Sequence, residues 1–283
     1  EETTMSDALS STFFEVERHG AVVELRMNRP DKANGMSPDF WIDLPRLMQE
    51  LEADLTVRAA VLTGAGRNFS GGMDLSVFSS LMDLVKAEPA RAAYAMRQRV
   101  LSYQETFNAL ERSRLPVIAA IQRACIGGAI DMISACDIRL ATEDAHFSIE
   151  EINIGMTADV GTLQRLPKLI PMSVVQELAL TGRRFTAQEA HGWGLIASLH
   201  TDAEAVRAAA LEMAEGIATK SPVAVAGTKH AITYARDHGV ADGLDQIATW
   251  NGGMLRPEDL MSAMQARMAK KDAVFQDLIA TGA

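Results

Sequence analysis

The feature that most constrains this chain is a series of short apolar runs that each stop at a glycine turn or pass into a helical pattern. Residues 59–63 run Ala-Ala-Val-Leu-Thr and end at Gly64-Ala65-Gly66; residues 116–121 and 138–141 are of the same kind. Runs this short carry no polar face and are too brief for a helix, so they read as buried strands. Ahead of them, residues 13–18 and 21–27 read as two strands joined at His19-Gly20, the second alternating so that Val23, Leu25 and Met27 share one face. Helices are expected between the strands. One starts at Pro38 with Ser37 as N-cap and runs to about residue 52; another opens at Gly127-Gly128 and ends near Cys136. A long, mostly helical stretch reaches Arg112, interrupted near Glu88-Pro89. This βα alternation places the first two thirds of the chain in the α/β class. Beyond Thr162 the pattern becomes helical, over 202–218, 222–236, 240–250 and 257–270. A capping box at Thr186 and Glu189 and one last strand over 196–199 precede those helices.

Charge and cysteine usage exclude several functions. The formal net charge of −10 leaves no basic footprint for nucleic acid or for an anionic membrane surface. No apolar run approaches the roughly 20 residues that a membrane span requires. The two cysteines, Cys125 and Cys136, form no C-x-x-C pair, and the six histidines form no metal-binding spacing, so no metal site is expected. The polar opening residues and a C-terminus without a peroxisomal address leave a soluble cytoplasmic enzyme as the expectation.

Two glycine turns and three acids carry the chemistry. Phe69-Ser70-Gly71-Gly72-Met73-Asp74 follows one expected strand, and Gly127-Gly128-Ala129 opens a helix. If the turns face each other, their free N–H groups form an oxyanion hole for a carbonyl gaining negative charge; otherwise they are plain tight turns. Neither is a phosphate loop. Asp131, Glu151 and Asp159 each sit among apolar or small neighbours, where a carboxyl tends to keep its proton towards neutral pH. Each can also be a structural acid, and Asp159, just before Gly161 and a helix, is a reasonable N-cap.

The turns and acids, in this order, resemble the enoyl-CoA hydratase/isomerase (crotonase) superfamily, from about Phe14 to Lys271. The landmarks are the segments 28–34, 60–66, 116–120, 136–139 and 161–166. Within it, the segments 125–139, 158–168 and 221–225, with 103–108, 236–238 and 248–251, look most like the Δ3,5-Δ2,4-dienoyl-CoA isomerases. Those enzymes carry Asp, Glu and Asp at the positions of Asp131, Glu151 and Asp159, whereas hydratases usually have Glu at the first and no acid at the third. The resemblance implies a crotonase-like spiral of ββα units over 12–200, preceded by a flexible segment over 1–11. A helical region over 201–283 would mediate homotrimers, or homohexamers as paired trimers. It further implies an acyl-CoA thioester substrate and no separate cofactor. The N–H groups of Met73 and Gly128 would hold the thioester oxygen, and Gly71, Gly72, Met73, Asp74 and Gly128 would line the coenzyme A site. Glu151 would exchange a proton at C2 and Asp159 at C6, with Asp131 in support. Ala129 departs from a third glycine and would add a methyl beside the oxyanion turn. Lys270-Lys271 would either reach a coenzyme A phosphate, including one of a neighbouring subunit, or form a solvated basic helix end, the second being the preferred reading. The competing functions are 2-enoyl-CoA hydration, or acyl-CoA binding without turnover.

Overall fold

In the computed structural model, residues 9–77, 79 and 86–280 are described. Strands β1 (Phe14–His19) and β2 (Val22–Met27) pair antiparallel, with Phe14 opposite Met27 and His19 opposite Val22. Gly20 turns the corner at φ +60°. After β2 the chain makes a 3-10 turn at Pro30–Lys32, enters helix α1 (Pro38–Ala53) and returns through β3 (Ala59–Gly64). Helix α2 (Pro89–Arg112) leads to β4 (Val117–Ile121), the short β5 (Ala124–Ile126) and helix α3 (Gly128–Ser134). Then come β6 (Ile138–Thr142), β7 (His146–Ser148), helix α4 (Thr162–Arg165), helix α5 (Met172–Thr181), β8 (Phe185–Thr186), helix α6 (Ala187–Gly192) and β9 (Ser198–His200). Among the described residues, the main sheet has the order β1-β2-β3-β4-β6-β9, parallel from β2 onward, and the smaller one the order β5-β7-β8. The chain thus visits the main sheet, then the smaller one, as it winds from β4 to β7. This is the α/β spiral that the resemblance implies.

Burial on both faces explains the short apolar runs. One face of the main sheet carries Val23, Leu25, Met27, Leu62 and Val117 into a core shared with α1 and the end of α2. The other face carries Val22, Ala59, Val61, Ile118, Ala120 and Leu140 against helix α7 (Ala203–Ala218). That helix buries Val206, Ala210 and Ala214, spaced four apart, and the small alanines let it lie close to the strands. Glu24 is also on this face, 1% exposed, and receives Arg207 Nη2 at 2.6 Å and Thr63 Oγ1 at 2.7 Å. Burial works to raise the Glu24 carboxyl, but these bonds outweigh it and hold the group below the usual carboxylate range.

Several local expectations are corrected. Ser37 stands at the N-cap of α1, but its hydroxyl makes no cap bond and is buried without a partner. Helix α3 stops at Ser134, short of Cys136. The interruption near residue 88 is a helix start: the Glu88 carboxylate accepts from Ala90 N–H at 3.0 Å and Arg91 N–H at 3.1 Å. The part of the expected helical stretch at residues 78 and 80–85 lies outside the described residues, as do residues 1–8 of the segment 1–11. Ser11 is tied to Asp43 by a 2.6 Å bond. Strands β5, β7 and β8 were not expected, since runs of two or three residues are below the length at which alternation is visible, nor was helix α5 given separate bounds. The capping box at Thr186 and Glu189 is present.

Helices α8 (Pro222–Asp237), α9 (Val240–Met254) and α10 (Pro257–Ala269) close the described chain. Helices α9 and α10 contain no buried residue, and Leu244, Met254, Leu260, Met261 and Met264 are exposed on them. No helix among the described residues is long and apolar enough to cross a membrane.

The bend between β2 and α1 depends on one amide. Asn34, fully buried at φ +51°, donates through Nδ2 to the carbonyls of Ala65, Asn68 and Phe69 at 2.8 to 3.1 Å, and accepts Arg29 N–H at 2.9 Å. Asn34→Ala leaves those groups unpaired and puts a Cβ-bearing residue without a local hydrogen bond in the left-handed region. It is expected to cost about 3 kcal/mol in urea-induced unfolding.

Candidate active site

Both glycine turns lie at strand ends, and the fold presses them together. Ser70 bridges Cys125 of β5: Ser70 N–H donates to Ala124 O at 2.9 Å and Ile126 N–H to Ser70 O at 3.1 Å. Three residues on, Met73 bridges Met36, with Met36 N–H on Gly72 O at 2.8 Å and Asp74 N–H on Met36 O at 3.1 Å. In such a parallel bridge the N–H of Met73 itself points to the opposite edge. There it meets the start of α3, where Gly128 N–H has no carbonyl one turn back within the helix. The two groups are close. A Cβ on Gly128 would stand 3.9 Å from Met73 N, and one on Gly72 would stand 3.4 Å from Gly128 N. Gly72 has φ +88°, and a Cβ there would be 2.6 Å from Ile126 O, so only glycine allows this approach. Ala129 is fully buried in the hydrophobic core, so its methyl packs inward.

All three expected acids gather at the same turn. Asp131 lies in α3 at 1% exposure and accepts Thr162 N–H, the first of α4, at 2.6 Å. Glu151 begins a 3-10 turn at Glu151–Ile154, and its Oε1 lies against Gly127, 3.3 Å from where a Cβ would be. Asp159 is half-buried between Ala158 and Val160, each 5% exposed. It does not cap α4: Gly161 is the N-cap, at φ +138°, and the leading N–H belongs to Asp131. Burial pushes the Asp131 carboxyl up to about 7, reinforced by the charges of Glu151 and Asp159 and opposed by the Thr162 bond. Glu151 is raised by burial, then by Asp159 and Glu150; Asp159 is raised by burial. The site therefore holds three carboxyls raised above the usual carboxylate range, Asp131 to about 7, next to two neighbouring N–H groups.

Asp74 has a different part from its neighbours in the turn. Its Oδ1 accepts Ser76 N–H at 2.9 Å and its Oδ2 pairs with Arg29 at 2.9 Å, which hold its carboxyl below the usual range. It clamps the turn to the segment before α1. Sequence reasoning missed Thr162, Met36 and Gln104, whose Nε2 donates to Asp159 O at 2.7 Å. Of these, only Thr162 left a trace, as the first N–H after a glycine at a helix start. Among the described residues one group has metal-ligand spacing, Glu17, His19 and Glu24, with ligand atoms within 4.8 Å of each other. Arg207 already pairs with Glu24 at 2.6 Å and Glu17 at 3.3 Å, so a cation there would face a guanidinium.

A two-sheet spiral with two facing glycine turns and three acids beside them is the architecture of a crotonase-fold enzyme. The enoyl-CoA hydratase/isomerase family matches residues 17–277, and the chain belongs to that family. It is 45% identical over 253 residues to the mitochondrial Delta(3,5)-Delta(2,4)-dienoyl-CoA isomerase of Mus musculus, covering 89% of this chain and 77% of the mouse protein. It is 41% identical to the peroxisomal Delta(3,5)-Delta(2,4)-dienoyl-CoA isomerase of Arabidopsis thaliana, covering 91% and 94%. Among solved structures, an enoyl-CoA hydratase from Bacillus anthracis superposes with a TM-score of 0.84 at 29% identity, covering 93% of this chain and 99% of the other.

Two outcomes follow from this geometry. Between about pH 4 and pH 7 the folded protein keeps a proton on Asp131 that the unfolded chain has released, so stability falls as pH rises through that window. Asp131→Asn removes this slope. Its melting temperature should gain on wild type up to about pH 7, by roughly 5 °C, and no further above; parallel curves would show that Asp131 is not protonated in the fold. Gly72→Ala should separate the two N–H donors and lower kcat on a thioester substrate by about 100-fold, comparable to losing one oxyanion donor.

Proposed function

We infer that this enzyme isomerises 3,5-dienoyl-CoA to 2,4-dienoyl-CoA, a step of fatty-acid-type beta-oxidation. The observation that carries the reading is the set Asp131, Glu151 and Asp159, all raised by burial beside the Met73 and Gly128 N–H pair. The relatives named as dienoyl-CoA isomerases support the same substrate class, an acyl-CoA thioester. Glu151 removes the proton at C2, which is bonded to the thioester carbon; it is the carboxylate in contact with the oxyanion turn. The electron pair passes into a dienolate whose oxygen accepts from Met73 and Gly128. Asp159 delivers a proton at C6, and the double bonds settle at C2 and C4. One C–H bond is broken and one formed, so the reaction balances without a redox partner or cofactor beyond the coenzyme A of the substrate. Asp131, held by Thr162, tunes its two neighbours by charge. Gly71, Gly72, Met73, Asp74 and Gly128 line the coenzyme A site.

A homotrimer or homohexamer belongs to the same reading. It is supported by the exposed Leu244, Met254, Leu260, Met261 and Met264 on helices that bury nothing within the chain. A cytoplasmic location is also part of it: Cys125 and Cys136 are free and buried, which suits a reducing compartment.

The deciding experiment is an ultraviolet assay with a 3,5-dienoyl-CoA. Conjugation of the diene with the thioester raises absorbance at longer wavelength. Wild type should produce this band, and Glu151→Gln and Asp159→Asn should each slow it by at least about 100-fold. No band, with crotonyl-CoA hydrated instead, would make the enzyme a hydratase and give Asp159 no part in the chemistry.

A further inference from the structure

Asp159 lies in a segment that is gripped from one side. Gln104, Asn108 and Glu111 are four and three residues apart on α2 and form a single polar stripe. Gln104 Nε2 donates to the Asp159 carbonyl at 2.7 Å. Asn108 Oδ1 accepts Arg165 Nη2 at 2.6 Å, and Glu111 accepts Arg165 Nε at 3.0 Å. Arg236, from α8, meets the same Glu111 carboxylate at 2.5 Å. Arg165 is 8% exposed, and its Nη1 lies so close to Gly161 that a Cβ there would collide with it. The stripe thus holds the segment 159–165 at both ends. Between those ends is Thr162, whose N–H holds Asp131.

Packing anchors the segment on its core side, where Ala158, Val160 and Leu166 are buried, but not on the side that faces α2. A cavity of about 350 Å³ opens beside the segment, lined among others by Gln104, Asn108, Glu111, Gln164, Arg165 and Arg236. On this open side, the hydrogen bonds from α2 are the contacts that hold the backbone. The bond from Gln104 acts on the peptide unit of Asp159 itself. It anchors the peptide plane next to the Cα that carries the carboxyl. Glu151, in contrast, is seated on the Gly127 turn and has no tie to the stripe among the described hydrogen bonds.

We propose that Gln104 and Arg165 are positioning residues for the C6 proton transfer, aiming the Asp159 carboxyl at the far end of the diene. The inference rests on the assignment of Asp159 to C6 made above. It separates the two halves of the reaction: loosening the stripe slows delivery at C6 and leaves removal at C2 intact. A dienolate that waits for its C6 proton returns to starting material and picks up solvent hydrogen at C2.

Gln104→Met tests this, because it keeps the length of the side chain and removes the donor. Isomerisation is followed by absorbance, and deuterium uptake at C2 of recovered 3,5-dienoyl-CoA is measured in D2O. The variant should lose about 10-fold in kcat with KM within about twofold of wild type, corresponding to about 1.4 kcal/mol. The ratio of C2 exchange to product should rise about 10-fold. Arg165→Lys, which keeps the charge but not the two-pronged contact, should show the same ratio change to a smaller extent. An unchanged kcat, or C2 exchange falling in step with product, overturns the inference while a normal wild type keeps the isomerase reading. A wild type that gives no conjugated band overturns both.

Discussion

The molecule is organised around one close backbone approach, that of Gly72 to the carbonyl of Ile126. The turn after β3 and the turn before α3 come within a distance that no side chain tolerates, and two N–H groups are left facing one spot. The surrounding framework serves to hold that approach. Ser70 bridges to Cys125, and its hydroxyl donates to Asn34 O at 2.9 Å. Asn34 in turn gathers the carbonyls of 65, 68 and 69, and Arg29 with Asp74 pins the far side of the turn. In the proposed reaction these donors cost no reorganisation when charge develops on a thioester oxygen, because the sheet architecture has already oriented them.

Against that positive spot the fold sets three carboxyls, and burial is what makes them useful. An exposed aspartate would be ionised throughout the physiological range and would be a poor proton donor. Placed in α3 at 1% exposure, Asp131 is pushed up to about 7, and its neighbours Glu151 and Asp159 are raised with it. Mutual repulsion means that they cannot all be charged together without cost, so protonation of one relieves the others. Stability is given up for this, since a well-packed apolar residue at Asp131 would suit the core better. The positive end of α4 and the Thr162 N–H recover only part of that loss.

Layering separates support from chemistry. Helix α7 seals one face of the main sheet through Val206, Ala210 and Ala214, with Arg207 closing over Glu24. Helix α2 has two roles along its length. Phe107 and Leu110 enter the core, while the stripe Gln104, Asn108 and Glu111 reaches the segment that carries Asp159. Arg236 joins the last third of the chain to the same stripe, so the helical region is mechanically continuous with the site.

Much of this was legible in the amino-acid order. Short, largely apolar runs marked β3, β4 and β6, because strands buried on both faces show few polar positions. Gly72, Gly128, Asp131, Glu151 and Asp159 stood out as candidates in the sequence, but taken singly each read as readily as structural, and it was their order, matched to a family, that drew them together. Tertiary structure alone decided the rest. It showed that Asp159 is not a helix cap, since the N–H it would have taken belongs to Asp131, 31 residues away in sequence. It showed that Ser37 caps nothing, that Ala129 packs inward, and that Gln104 reaches Asp159 across 55 residues. Local pattern reports which conformation a residue favours and whether it prefers water. Which donor meets which acceptor depends on distances between segments remote in sequence, and those exist only once the sheets have closed.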